Sequence, residues 1–290
     1  PVRVTVGGIE HAHDLVHQIG YYLPNFVGDF FMKKTYDLII PIGSKCKCSF
    51  NLRRLHLQYE SFPFDWIYIK NPDVVEKLLQ TDFKDFLLEK NLRLRSKQPR
   101  FDEVDDLATG IYSAHDFDTG RTIHECYPAV RAKYDRRIAK LKNKIDAARR
   151  ILLVHCAEDE VWDDAEIIRS YRAMTEAFAG KKTDLLYICL SAVKTGYREE
   201  KPADGITKVT FYRNPACEWQ GEAELFDRAL HNVRLSLSTS LKWYCSKIYL
   251  GGLLKKLKRH LLAAVTCLLP LKSQRKRFRE KYLAKKNHFN

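Results

Sequence analysis

The sequence predicts an α/β fold, a mostly parallel sheet flanked by helices, with a basic helical C-terminal tail. Three observations predict it. Short apolar runs rich in β-branched residues recur along the chain: YDLIIPIG (36–43), ILLVHC (151–156), DLLYICL (184–190) and ITKVTFY (206–212). Segments of helical period separate them. Strands alternating with helices in this way are expected of a mostly parallel sheet covered on both faces.

The elements follow in order. YDLIIPIG has strand length and ends at Gly43. The helix after it places Phe50, Leu52, Leu55 and Tyr59 near one face and Arg53 and Arg54 on the other. Residues 73–89 read as one interrupted helix with Asp73 as its N-cap. Residues 91–125 are polar without a sustained period and read as loops with short strands. From Val130 to Arg150, Val130, Tyr134, Ile138, Leu141 and Ile145 recur at three and four, an amphipathic helix. Residues 163–180 form another, stopped by Gly180, and 222–236 a third with Phe226, Leu230 and Val233 inward. Three domains are expected: 1–34 as an N-terminal extension or the end of a preceding domain, 35–241 as the α/β catalytic domain, and 242–290 as the tail. The first residue is Pro1, so the chain reads as a possible fragment of a longer protein.

Charge separates the tail from the body. The chain carries 50 Lys and Arg against 36 Asp and Glu. From Lys242 to Asn290 there are fourteen basic residues and one acidic, Glu280, which leaves 36 basic against 35 acidic in the rest. A nearly neutral body speaks against a nucleic-acid-binding face there. The eight cysteines sit mostly in apolar runs and none has CxxC spacing, as in a reduced compartment and without a structural zinc site. His11, His13 and His17 share a sector but lack an acidic or thiol neighbour, so no metal is expected. Neither a GxGxxG fingerprint nor a Walker loop occurs, and no cofactor is expected.

Ligands of parallel sheets collect at the C-terminal strand ends. Gly43-Ser44-Lys45-Cys46, His155-Cys156-Ala157-Glu158 and Ser191 therefore fall on one edge. Cys46 follows a strand and opens a helix, where the positive end of the helix dipole eases thiol ionisation. A thiol nucleophile needs a histidine to take its proton and a group to orient that histidine. His115, in a polar loop, and His155, at the end of a strand, are the candidate bases; His155 also reads as a core or rim residue. Asp65, in the apolar loop SFPFDWI, either caps the turn through backbone N–H groups or faces the cysteine turn and supports the site. Backbone N–H groups after Gly43 are candidates for holding an oxyanion.

Gly43, Cys46, Ser61, Pro63, Phe64, Asp65, Trp66, His115, Asp116 and Phe117 form, in this order, a G-S-x-C turn, an S-x-P-F-D-W block and an H-D-F motif. This pattern resembles a bacterial family of unknown function described as papain-like cysteine peptidases, over roughly residues 36–220. The resemblance implies a Cys46–His115 catalytic pair; Asp65 is the supporting carboxylate that the residues themselves suggest. Gly43, Ser44, Trp66, Asp116, His155 and Glu158 are then the expected substrate contacts. The strand-turn-helix setting is closer to hydrolases and acyltransferases of α/β type than to papain.

LLPLKSQRKRFREKYLAKK is similar to the basic C-terminal ends of bacterial enzymes that build capsule and lipopolysaccharide glycans. The resemblance implies a cytoplasmic protein, peripheral at the inner membrane, that performs acyl transfer or hydrolysis on a glycan or acyl-donor substrate. The uncharged run Leu261–Leu271 is far below the ~20 residues needed to span a bilayer. An in-plane helix on an anionic membrane surface, a helix packed on the domain and a nucleic-acid-binding tail are the three readings of 242–290. A sugar transferase relying on Asp65 and Glu158, and a non-catalytic module of a larger glycan-assembly protein, are the alternative functions. The oligomeric state is not legible in the sequence.

Overall fold

The structure, a computed structural model, describes residues 34–282 except 70–71, 159–161, 179, 218, 245–246 and 269–271. The expected extension over residues 1–34, with its three histidines, lies outside the described residues but for Lys34. The chain divides into two compact units, one ending at Leu235 and one beginning at Ser236.

In the first unit a five-stranded sheet has the order β2-β7-β8-β10-β9. Strands β2 (Leu38–Pro41), β7 (Arg150–Ala157), β8 (Lys182–Ser191) and β10 (Ile206–Tyr212) run parallel. These are the four apolar runs. Their apolar residues are buried on both faces, in two separate cores. Ile40, Leu153, Leu185 and Tyr187 meet Tyr134, Leu141 and Met174 on one side. Ile39, Leu152, Val154, Ile188 and Phe211 meet Leu52, Phe226 and Leu230 on the other.

The helices supply those covers. Helix α1 spans Cys46–Arg54 and α2 Pro72–Gln80. Helix α3 runs from Ile123 to Ala147, α4 from Asp164 to Glu176 and α5 from Ala223 to Ala229. Helix α3 starts seven residues before Val130 because a capping box sets its origin: Thr122 Oγ1 accepts from Glu125 N (3.2 Å) and Thr122 N donates to Glu125 Oε2 (2.7 Å). Asp163 and Glu166 start α4 in the same way.

Two features correct the expectation of a mostly parallel sheet. Strand β9 (Arg198–Glu200) pairs antiparallel with β10 at the sheet edge, which makes that sheet mixed. Its residues are all exposed, so no apolar pattern marks it. A second, wholly antiparallel sheet is built from β3 (Ile67–Tyr68), β4 (Leu92–Ser96), β5 (Phe101–Asp106) and β6 (Ile111–Asp118) in the order β3-β6-β5-β4, largely from the segment read as loops. In β5 the inward positions are Asp102, Val104 and Asp106. Buried aspartates hide the period-two signal. Asp106 is accommodated because Leu87 N (2.8 Å), Ala108 N (3.1 Å) and Thr109 Oγ1 (2.9 Å) donate to it. The segment 73–89 contains only α2, followed by turns. Strands β1 (Lys34–Tyr36) and β11 (Val233–Leu235) pair parallel at the limits of the unit.

In the second unit the described helices are α6 (Leu237–Tyr244), α7 (Lys247–Leu268) and α8 (Lys272–Tyr282). No helix among the described residues is long and apolar enough to cross a membrane.

Candidate active site

The turn between β2 and α1 is pinned from two sides. Gly43 O accepts from Cys156 N (3.0 Å), and Ser44 donates to Cys156 O through both N (3.1 Å) and Oγ (2.7 Å). Ser44 O in turn accepts from Ile69 N (2.9 Å). Gly43 has φ +127°, and a Cβ there would stand 3.1 Å from the His155 ring and 3.2 Å from Ile69 O. Only glycine fits both the torsion and the space. His155 is buried in β7, stacked on Tyr187 with its Nδ1 3.3 Å from Ile42 O. Burial lowers its pKa to about 4, so it is a neutral packing group under the turn rather than a substrate contact.

Cys46 is the first residue of α1 and is half-buried. Its Sγ lies 3.4 Å from His115 Nε2, a contact across 69 residues of sequence. His115 belongs to strand β6 and not to a loop. The β5–β6 register jumps between Asp102↔Phe117 and Val104↔Ser113, so one residue of β5, Glu103, faces three of β6, Ala114, His115 and Asp116. His115 lies inside this bulge, a device that re-aims a strand side chain. The Phe101 ring meets the imidazole edge-on at 6.4 Å. Among the described residues, no carboxylate or amide bonds its Nδ1.

The thiol is not pre-ionised. Burial pushes the Cys46 pKa up to about 11, with the Asp65 and Asp116 charges adding to the rise. Its own backbone N–H opposes this, and burial outweighs it. Proximity to a helix N-terminus therefore does not bring the eased ionisation expected from sequence, because burial outweighs it.

Asp65 and Asp116 do not orient His115. Asp65 is fully buried and holds its own loop: Phe62 N (2.5 Å) and Gln58 Nε2 (2.9 and 3.1 Å) donate to its carboxylate. Burial raises its pKa, against the pull of Phe62 N–H, the Ser49 hydroxyl, Arg53 and Arg137. The capping alternative describes it. Asp116 accepts from Ser113 Oγ (2.5 Å) and Tyr134 Oη (2.7 Å) and is ion-paired with Lys133, which ties the bulge to α3. Burial would raise its pKa, yet Lys133 and these hydrogen bonds bring it below the ordinary carboxylate range. Trp66 lies under the Arg53 guanidinium, 5.4 Å from the ring centre.

Glu158, just past the end of β7, gathers cations. Lys47 Nζ is 2.6 Å away, Lys45 Nζ 3.0 Å and Arg213 Nη1 3.7 Å. Burial alone would raise its pKa; the two lysines hold it down. Lys47, Glu158, Arg213, Trp219 and Phe211 line a cavity of about 250 Å³ at this edge. On the other side of the turn, Lys45 sits 5.4 Å over Tyr68, Tyr68 stacks on Tyr112 at 4.6 Å, and Arg95 covers Tyr112 at 4.5 Å. Ser191 is not drawn in; its hydroxyl bonds Val193. Lys47, Arg213, Tyr68 and Tyr112 were not legible as site residues, although Arg213 directly follows the parallel strand β10 and the strand-end rule reaches it. No group of three or more His, Cys, Asp or Glu among the described residues is placed to hold a metal.

The arrangement defines a class: a thiol at the C-terminal edge of an α/β sheet, with an imidazole brought to it from a second sheet. The family model described as "Putative papain-like cysteine peptidase (DUF1796)" matches residues 37–190, just over half the chain, and the chain belongs to this family. No curated protein and no solved structure matches the chain.

Proposed function

We propose that the chain is a cysteine-dependent hydrolase or acyltransferase. The observation that supports it is the 3.4 Å approach of Cys46 Sγ to His115 Nε2. As Sγ attacks a carbonyl carbon, His115 takes the thiol proton; the C–X bond of the tetrahedral adduct then breaks and the same proton passes to the leaving group. Water or an acceptor nucleophile next attacks the thioester carbon and gives its proton to His115; the C–S bond breaks and that proton returns to Sγ. A thiol with a pKa of about 11 needs such a base at neutral pH. Ser44 N–H is committed to Cys156 O, so the candidate oxyanion donors are the N–H groups of the first turn of α1.

Peptide hydrolysis, which the family description names, shares this first step. The acceptor separates the outcomes: water, an amine or a sugar hydroxyl. Our substrate class is a glycan or acyl donor of surface-glycan assembly, supported by the likeness of the tail to glycan-assembly enzymes. The cavity walled by Lys47 and Arg213 is our candidate seat for the donor. The sugar-transferase alternative asks Asp65 and Glu158 for chemistry; Asp65 is enclosed and spent on its loop, and Glu158 at the cavity is held by Lys47 and Lys45.

Intact-mass measurement after incubation with acyl thioesters and activated esters tests the proposal. An acyl adduct on the wild type, absent in Cys46→Ser and strongly slowed in His115→Ala, is expected. Equal labelling of the wild type and Cys46→Ser sinks it.

A further inference from the structure

Among the described residues, six of the thirteen exposed large apolar side chains lie on α7: Leu250, Leu253, Leu254, Leu257, Leu261 and Val265, each 43–63% exposed. At 100° per residue they fall within an arc of about 120°. Lys256 and Lys258 flank that stripe, and Lys255 and Arg259 occupy the far side; all four are exposed. Lys272, Lys276 and Arg277 of α8 add exposed charge, with no acidic residue before Glu280.

An exposed apolar stripe of this size needs an occupant. The bordering charge selects one that is both apolar and anionic. A second copy would present the same cations and repel. The spacing also differs from a coiled-coil seam: from Leu250 and Leu253, strict heptads bring His260 and Ala264 to the core positions. Nucleic acid matches the cations and leaves the leucines uncovered.

We propose that α7 lies in the plane of an anionic lipid surface, its Leu250–Val265 stripe at the acyl boundary and its lysines at the headgroups. The helix is about 33 Å long at 1.5 Å per residue, enough to span, but its four central charges forbid that. In-plane binding satisfies both faces. It is independent of the thiol chemistry.

The test uses the full chain and sedimentation with vesicles of phosphatidylcholine and phosphatidylglycerol, about three to one. The wild type is expected to sediment with them and to bind pure phosphatidylcholine at least about tenfold more weakly. Each basic residue at the surface contributes roughly fivefold. Leu254→Glu/Leu257→Glu/Leu261→Glu should lose binding more than about tenfold with an unchanged thermal midpoint. Lys255→Gln/Lys256→Gln/Lys258→Gln/Arg259→Gln should lose the preference for phosphatidylglycerol. Four results overturn the proposal. One is no wild-type sedimentation, and another is full binding by the triple leucine variant. A third is a wild-type dimer that the leucine substitutions dissociate while vesicles remain unbound. The fourth is an oligonucleotide that binds more tightly than vesicles and ignores the leucines.

Discussion

At the residue scale the site depends on two side chains and one missing one. Burial sets the Cys46 pKa near 11, so very little thiolate exists at neutral pH and alkylation there depends on His115 taking the proton. His115→Ala should therefore slow iodoacetamide modification of Cys46 at neutral pH by on the order of a hundredfold. Toward the thiol's own pKa, where hydroxide replaces the base, the two rates should converge. Parallel pH–rate curves for the two proteins would refute this role for the imidazole. Gly43 is the missing side chain. Gly43→Ala forces a Cβ against His155 and Ile69 O at a φ that L residues avoid, and denaturant titration should show a loss of about 1–3 kcal/mol. An unchanged midpoint would show that the turn relaxes freely.

At the element scale two buried aspartates act on backbone, not on substrate. Asp65 fixes the loop before β3, and Asp65→Ala would leave Phe62 N–H and the Gln58 amide without their acceptor, at about 1–3 kcal/mol each. Thermal unfolding should drop accordingly, while Asp65→Asn, which keeps an acceptor oxygen, should cost less. Asp116 ties the β6 bulge to α3. Asp116→Ala should slow acylation of Cys46 by misplacing His115 while leaving alkylation near pH 11 close to wild type. A loss of both rates together would mean that the helix contact serves stability alone.

At the scale of the whole molecule, two ion-paired carboxylates of the first unit, Asp116 and Glu158, make stability depend on pH. Asp116 and Glu158 both have pKa values held below the ordinary carboxylate range, by Lys133 and by Lys47 with Lys45. The sign follows. Each contributes stability that is complete above its unfolded-state pKa and is lost as pH falls through its lower folded value. The midpoint should fall as acid takes the pH through the ordinary carboxylate range and below it, and less steeply in Asp116→Asn. A midpoint that falls already between pH 5 and 6 would contradict this assignment.

The sequence by itself determined the four parallel strands and the helices that cover them. It also determined the thiol that opens α1 and the charge contrast between body and tail. These are local properties of period, length and composition. The pairing of Cys46 with His115 was legible only through the family's motif order. Tertiary structure alone decided the rest. It formed an antiparallel sheet from a polar segment, because buried aspartates such as Asp106 found backbone donors. It turned His115 toward the thiol through a bulge, took Asp65, Asp116 and His155 into structural service, and gathered Lys45, Lys47 and Arg213 around Glu158. It also set the thiol's protonation, because burial is a property of the packed molecule and outweighs what the helix N-terminus promises.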